Sequence, residues 1–183
     1  MTRPKAYLAG PDVFLPDARR ALAIKADICR AAGLEPLPPV DGESAGDAAD
    51  PPARAGAIAR GNEALLDRAD LIVADFTPFR GPGMDAGTAF EVGYMRALGK
   101  LVFAYTNLPG AYMERVQELG LIGPDGIRDR DMLLIEDFGL AENLMLATVA
   151  RGGVFAPAAR PADIRRDLES FRLAVAAAAE MLA

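Results

Sequence analysis

The 183-residue chain contains no histidine. That removes Ser-His-Asp and Cys-His catalysis, a histidine general base, and zinc or haem held by imidazole. It contains one cysteine, Cys29, which can neither close an intramolecular disulfide nor build a metal site. Cys29 lies in a helical pattern with Leu22 and Ile28, so a packed core thiol is expected there. Acid–base chemistry therefore falls on carboxylates, tyrosine or lysine. No run approaches the ~18 apolar residues of a membrane span, and no long apolar segment follows the opening Met-Thr-Arg-Pro-Lys. The expectation is a cytoplasmic protein without signal peptide or membrane partner. Basic residues are in deficit, 20 against 26 acidic for a net charge of −6, which argues against a nucleic-acid partner. The glycines Gly81, Gly83 and Gly87 do not form a GxGxxG fingerprint, so a dinucleotide site is not supported.

An apolar fraction of 51% is that of a globular protein and too high for a disordered one. With no internal repeat and no linker, residues 1–183 read as one domain. Residues 70–100 are the most informative stretch. Leu71-Ile72-Val73-Ala74 is a short buried strand by length and β-branched content, and Asp75 ends it. A turn-rich loop with Pro78, Gly81, Pro82 and Gly83 follows. Asp85 stands where a helix N-cap belongs. From Ala86 to Leu98 the stripe Ala86, Phe90, Gly93, Ala97 predicts a helix lying close on a sheet through small residues. Glu91 sits in the first half of that helix, with Gly87 and Thr88 on its face leaving room for a ligand. Asp85 is about 9 Å behind it at 1.5 Å per residue. Two carboxylates at one strand-to-helix junction can divide labour, one meeting positive charge and one handling a proton. Equally, Asp85 could be only a cap and Glu91 an ordinary solvated helix residue.

Strands are expected at residues 5–9, 34–37, 71–74, 101–105 and 154–155. The second carries Pro36 and belongs at a sheet edge. Helices are expected over about 16–32, on the stripe Ala21, Ile24, Ile28 and ended by Gly33, and over about 53–68, 86–98, 111–119 and 161–182. Residues 38–52 form a long aperiodic loop of the kind that serves as a lid or binding loop. Asn62 is mid-helix, where asparagine has poor propensity, so it is a candidate for use of its side chain or a surface position. Strand–helix alternation predicts a doubly wound, flavodoxin- or Rossmann-like parallel five-stranded sheet with helices on both faces. Ligands in such sheets bind beyond the carboxyl ends of the strands, where Tyr7, Asp75, Asp85 and Glu91 are expected to converge.

The run Asp85-Ala86-Gly87-Thr88-Ala89-Phe90-Glu91-Val92-Gly93-Tyr94, with Ala97-Leu98-Gly99-Lys100, resembles the signature of the nucleoside 2-deoxyribosyltransferase family. So does Tyr7-Leu8-Ala9-Gly10-Pro11 followed by Phe14. Pro78-Phe79-Arg80-Gly81 is similar to one branch of the family, and Ile135 to Leu146 resembles a further family segment. The likeness spans about residues 5 to 148. It implies transfer of a 2-deoxyribosyl group between nucleobases through a covalent deoxyribosyl-glutamate. Glu91 would be the nucleophile, Asp85 would hold the base and relay its proton, and Tyr7 would orient Glu91. Gly10, Phe14, Asp75 and Gly87 would line the site, with Phe14 walling the base. The family carries an acidic residue where this chain has Asn62, a departure that bears on base contact. Asn143 is an N-cap by local pattern; the family implies instead that it reaches a neighbouring subunit's sugar in a homo-oligomer with shared active sites. Arg80 could serve a phosphate or be a surface arginine. No metal or organic cofactor is called for. The alternatives are an N-glycosidase acting on nucleosides or their monophosphates, and a non-catalytic nucleotide-binding module.

Overall fold

Strands buried on both faces must be apolar along most of their length, and the central strands are, with Lys5 and Asp75 at strand ends the exceptions. The computed structural model describes residues 2–39 and 50–182. In it β1 (Lys5–Ala9), β3 (Leu71–Asp75) and β4 (Leu101–Tyr105) form the middle of an all-parallel five-stranded sheet. β2 (Glu35–Leu37) and β5 (Val154–Phe155) are the edges, giving the order β2-β1-β3-β4-β5. The expected doubly wound architecture is therefore present, with Pro36 in an edge strand. Strand order reverses between β1 and β3, which opens a crevice at their carboxyl ends.

Period-2 alternation assigns each strand residue to one of two cores. Ala6, Leu8, Leu71, Val73, Phe103 and Tyr105 face α1 (Ala18–Ala31) and α6 (Glu169–Leu182). Tyr7, Ala9, Ile72, Ala74, Val102 and Ala104 face the other side. There they meet Leu66 of α2 (Pro51–Arg68) and Val92 and Met95 of α3 (Ala86–Ala97). Lys100 joins α2 to the sheet, its Nζ donating to the Leu66 and Asp67 carbonyls at 2.7 and 2.8 Å. A cation there is favoured by the helix dipole. Tyr94 of α3 donates to Asp67 at 2.8 Å, so the two helices are tied side by side.

Three expectations about helix faces and ends are corrected. The buried side of α1 is Lys25, Ala26 and Cys29, while Ile24 is 40% exposed. The helix is turned because Lys25 is drawn inward by acidic partners. Cys29 is buried and unpaired, and burial pushes its thiol up to about 12. In α3 the stripe Ala86, Phe90, Gly93, Ala97 faces outward, with Phe90 59% exposed. Thr88, Val92 and Met95 pack on the sheet instead, because Val92 and Met95 bury more apolar area than the small residues. Finally, α6 begins at Glu169 rather than near 161. The Asn107 side chain takes the carbonyls of Ile164 and Asp167 at 3.0 Å each, which diverts them from a helical ladder. One element was not expected, a 3₁₀ turn at Pro11–Phe14; the helical run that the Asn143 cap pattern implied is the short α5 (Leu144–Ala147), which follows α4 (Tyr112–Glu118). Most of the 38–52 loop lies outside the described residues; Asp50 caps α2 by accepting from the Ala53 amide at 3.2 Å.

Candidate active site

A cavity of about 380 Å³ opens at the switch between β1 and β3. It is lined by Gly10, Phe14, Asn62, Asp85, Gly87 and Glu91, together with Val13, Pro39, Ile58 and Thr88. The first six were expected in the site. Thr88 was expected on the Glu91 face of its helix, whereas Val13, Pro39 and Ile58 were not singled out for the site. A second cavity of about 330 Å³, between α2 and α3, also reaches Asn62, Gly87 and Glu91.

Glu91 meets Tyr7 across 84 residues of chain, with the Tyr7 hydroxyl donating to Glu91 Oε1 at 2.6 Å. Alternation along β1 puts Tyr7 on the α3 side of the sheet, and one helical turn and a half from the cap puts Glu91 opposite it. Burial is the largest influence on Glu91 and raises its pKa from 4.5 to about 7. The Tyr7 hydrogen bond opposes that rise, and the nearby Asp85 charge adds to it. Tyr7 itself is fully buried, and its hydroxyl is held far above its ordinary range by burial and by the Glu91 charge, so it acts as a donor only.

Asp85 does cap α3. Its Oδ2 accepts from the Thr88 amide at 2.9 Å and from Thr88 Oγ1 at 3.2 Å. The cap and a place on the cavity wall are compatible, since both bonds fall on one oxygen. A Cβ on Gly87 would come within 3.0 Å of that oxygen, so glycine keeps the space between the two carboxylates open.

Asp75 does not reach the cavity. It shares the parity of Leu71 and Val73 and therefore points to the opposite core. There its Oδ1 accepts from the Thr77 amide at 2.8 Å and its Oδ2 accepts from Tyr105 at 3.0 Å. Lys25 donates to Tyr105 at 2.7 Å and to Asp12 at 2.5 Å. This buried network supports the 3₁₀ turn from behind, and Asp75 works as a prop for Gly10. A Cβ on Gly10 would lie 2.8 Å from the Asp75 Cβ, closer than such atoms approach. Gly10→Ala is therefore expected to displace the turn that carries Phe14 and to lower stability by about 1–3 kcal/mol, read as a shifted urea midpoint. An unshifted midpoint would show that the turn moves freely. Sequence parity alone contained the placement of Asp75; nothing local announced Lys25 or Asp12 as its partners.

Residues 6–145 match the family described as nucleoside 2-deoxyribosyltransferase. The chain belongs to that family. An uncharacterized protein of Schizosaccharomyces pombe is 32% identical over 157 residues, covering 78% of this chain and 74% of its own. The solved structure of a 2-desoxiribosyltransferase from Leishmania mexicana is 33% identical with a TM-score of 0.60, covering 78% of this chain and 85% of its own. A conserved protein from Enterococcus faecalis V583 shares the fold at 21% identity and a TM-score of 0.53, over 94% and 97% of the two chains.

In this deoxyribosyltransferase-family chain the loop before Asp85 is held by Arg115 and Glu142. Arg115, in α4, donates to the Pro82 carbonyl at 2.9 Å and also binds the Gly110 and Ala141 carbonyls. Glu142 accepts from the Met84 amide at 2.8 Å and from the Asn143 amide at 2.9 Å. Asn143 caps α5, its side-chain Oδ1 accepting from the Met145 amide at 3.0 Å, and its side-chain Nδ2 donates to Glu136 Oε1 at 2.8 Å. It lines a separate cavity of about 420 Å³, away from Glu91 of its own chain. Arg80 lies outside the Glu91 cavity too. Its guanidinium covers the rings of Phe79 and Phe14, at 4.6 and 5.2 Å from their centroids.

Among the described residues no group of three or more acidic or cysteine side chains is placed to hold a metal. No helix among them is long and apolar enough to cross a membrane.

Proposed function

We propose that the protein is a nucleoside deoxyribosyltransferase that moves a 2-deoxyribosyl group between nucleobases through an ester on Glu91. The observation that carries this reading is Glu91 itself: a carboxylate at a cavity wall, with one oxygen held by Tyr7 and the other left to attack. Glycosidic cleavage passes through an oxocarbenium-like transition state that an adjacent carboxylate stabilises and then captures. One Glu91 oxygen forms a bond to C1′ as the C1′–N bond breaks. The base leaves with that electron pair and takes a proton by way of Asp85. The incoming base then attacks C1′ through a ring nitrogen, loses its proton along the same route, and frees the Glu91 carboxylate. The fixed donor from Tyr7 keeps Glu91 oriented, and Phe14 gives the flat base an aromatic wall. Asn62 lies where it can contact the base edge.

The whole chain forms one such domain and acts as a homo-oligomer. Phe90 on α3, with Leu133, Leu134, Phe138 and Met145 around the Asn143 segment, are all more than half exposed. Apolar exposure of this extent is typical of a surface that another copy covers. Asn143 would then serve the neighbour's sugar. With acidic residues in excess of basic ones, 26 against 20, the protein works on small molecules rather than nucleic acid, in nucleoside salvage in the cytoplasm.

The test is to incubate the protein with a deoxynucleoside and a different free base. An exchanged nucleoside supports transfer, free deoxyribose alone supports the N-glycosidase, and binding without turnover supports a sensor module. Intact-mass measurement after a rapid quench should show the protein heavier by one deoxyribosyl group. Asp85→Asn should slow exchange by about 10²–10³-fold with a poor leaving base and much less with a good one. An equal loss with both would move the proton relay elsewhere. Because the cap bond from Thr88 survives as a bond to the amide oxygen, the helix itself should persist.

A further inference from the structure

We infer that Arg165 is a positioning residue for the aromatic wall of the base pocket, an inference that rests on the reading of the Glu91 cavity as the nucleoside site. Arg165 lies in the segment between β5 and α6, outside the residues that match the family. That segment is stapled to the lip of the sheet. Asn107 after β4 holds the Ile164 and Asp167 carbonyls, and its own amide donates to Thr77 Oγ1 after β3 at 2.9 Å. From this fixed base the Arg165 guanidinium reaches the loop that leads to Asp85. Its Nη2 donates to the Pro78 carbonyl, and its Cζ lies 5.9 Å from the centre of the Phe79 ring.

Phe79 in turn stacks on Phe14, with centroids 5.1 Å apart and planes 18° from parallel. Phe14 lines the cavity yet is 55% exposed, so its direction depends on the Phe79 ring and on the Arg80 guanidinium that lies 5.2 Å from its centre. The loop also carries a non-glycine residue in the left-handed region, Arg80 at φ +56°. A conformation of that kind persists only where its surroundings hold it. Two arginines do so: Arg115 grips Pro82 at the end of the loop and Arg165 grips Pro78 at its start. The chain of contact is Arg165 to Phe79 to Phe14 to base.

Stability alone does not account for Arg165. Its Nη1 is buried and meets no hydrogen-bond partner among the described residues, a cost that a methionine covering the same ring would not carry. What the guanidinium adds is direction, because one planar group holds both a carbonyl and a ring face.

Arg165→Met keeps an apolar stem over Phe79 and removes the carbonyl grip. It should raise KM for the donor deoxynucleoside about 10-fold, leave kcat within about twofold, and leave the melting temperature within about 2 °C. Arg165→Lys, which returns a cation and a donor, should recover part of the KM. An unchanged KM, or a fall in kcat matched to a fall in melting temperature, would overturn the assignment. The wall is also read without turnover. NMR contacts between the Phe14 and Phe79 rings in the ligand-free protein should weaken in Arg165→Met. Their persistence at wild-type strength would refute the positioning role. If the wild type neither exchanges nor binds nucleosides, the reading of the site fails, and the ring contact still decides what Arg165 does.

Discussion

Replacing Glu91 by alanine is expected to lower base exchange by about 10⁴-fold, because a nucleophile that defines the intermediate has no substitute at this site. The variant should bind nucleoside and fold normally. Glu91→Gln is the sharper experiment. It keeps the shape and still accepts from Tyr7, yet it should yield no deoxyribosyl adduct by intact mass. It should also be more stable than the wild type under alkaline conditions. The folded Glu91 pKa is raised from 4.5 to about 7, so the native state holds the proton more tightly than the unfolded chain. Stability therefore falls as pH rises from about 4.5 to 7 and stays lower above that. A neutral glutamine avoids the loss. The gain at pH 8 should be on the order of 1–3 kcal/mol, or several degrees in melting temperature, and should vanish near pH 4.5. Near wild-type exchange in either variant would remove Glu91 from its role as nucleophile, and a glutamine protein no more stable at pH 8 would show that the folded carboxyl is not raised.

Exchange should rise with pH through a limb near 7, since only the ionised Glu91 attacks. Tyr7→Phe tests where that limb comes from. Burial of the carboxylate remains in the variant, while the hydrogen bond that favours its charged form is removed. The limb should move to higher pH, and kcat/KM should drop by about 10²-fold at pH 6 and by less at pH 9. Rapid kinetics across pH 5–10 would reveal it. A limb that stays in place, or moves toward acid, would mean that Tyr7 does not tune the carboxylate.

The roles just described were readable to different depths. Local rules carried the strands, the Asp85 cap, the spacing of Gly87 and Thr88 to Glu91, and the edge position of the Pro36 strand. Each depends on neighbours within a few residues, and there the propensity, the cap chemistry and the hydrophobic pattern agreed. The helix faces were less legible. A stripe of small residues in α3 and one of aliphatic residues in α1 looked buried by period alone. The choice among faces was made by Val92 and Met95 filling the sheet surface, and by Lys25 meeting Asp12 and Tyr105. Asp75 looked like a ligand group because it closes a strand at the binding edge; its parity sent it to the other core.

By itself the sequence determined which chemistry was open to the protein. Without histidine and with a single cysteine, acid–base chemistry was left to carboxylates, tyrosine or lysine, and the Asp85–Glu91 spacing on a helix start put two carboxylates near one sheet edge. Only the tertiary structure decided how Glu91 is tuned, since its burial and its bond from Tyr7 join residues 84 apart in the chain. It also decided that the segment before α6 turns back to grip Pro78, through hydrogen bonds that no local pattern encodes. A pKa and a loop anchor are sums over groups brought together by folding, so they exist only once the chain has closed on itself.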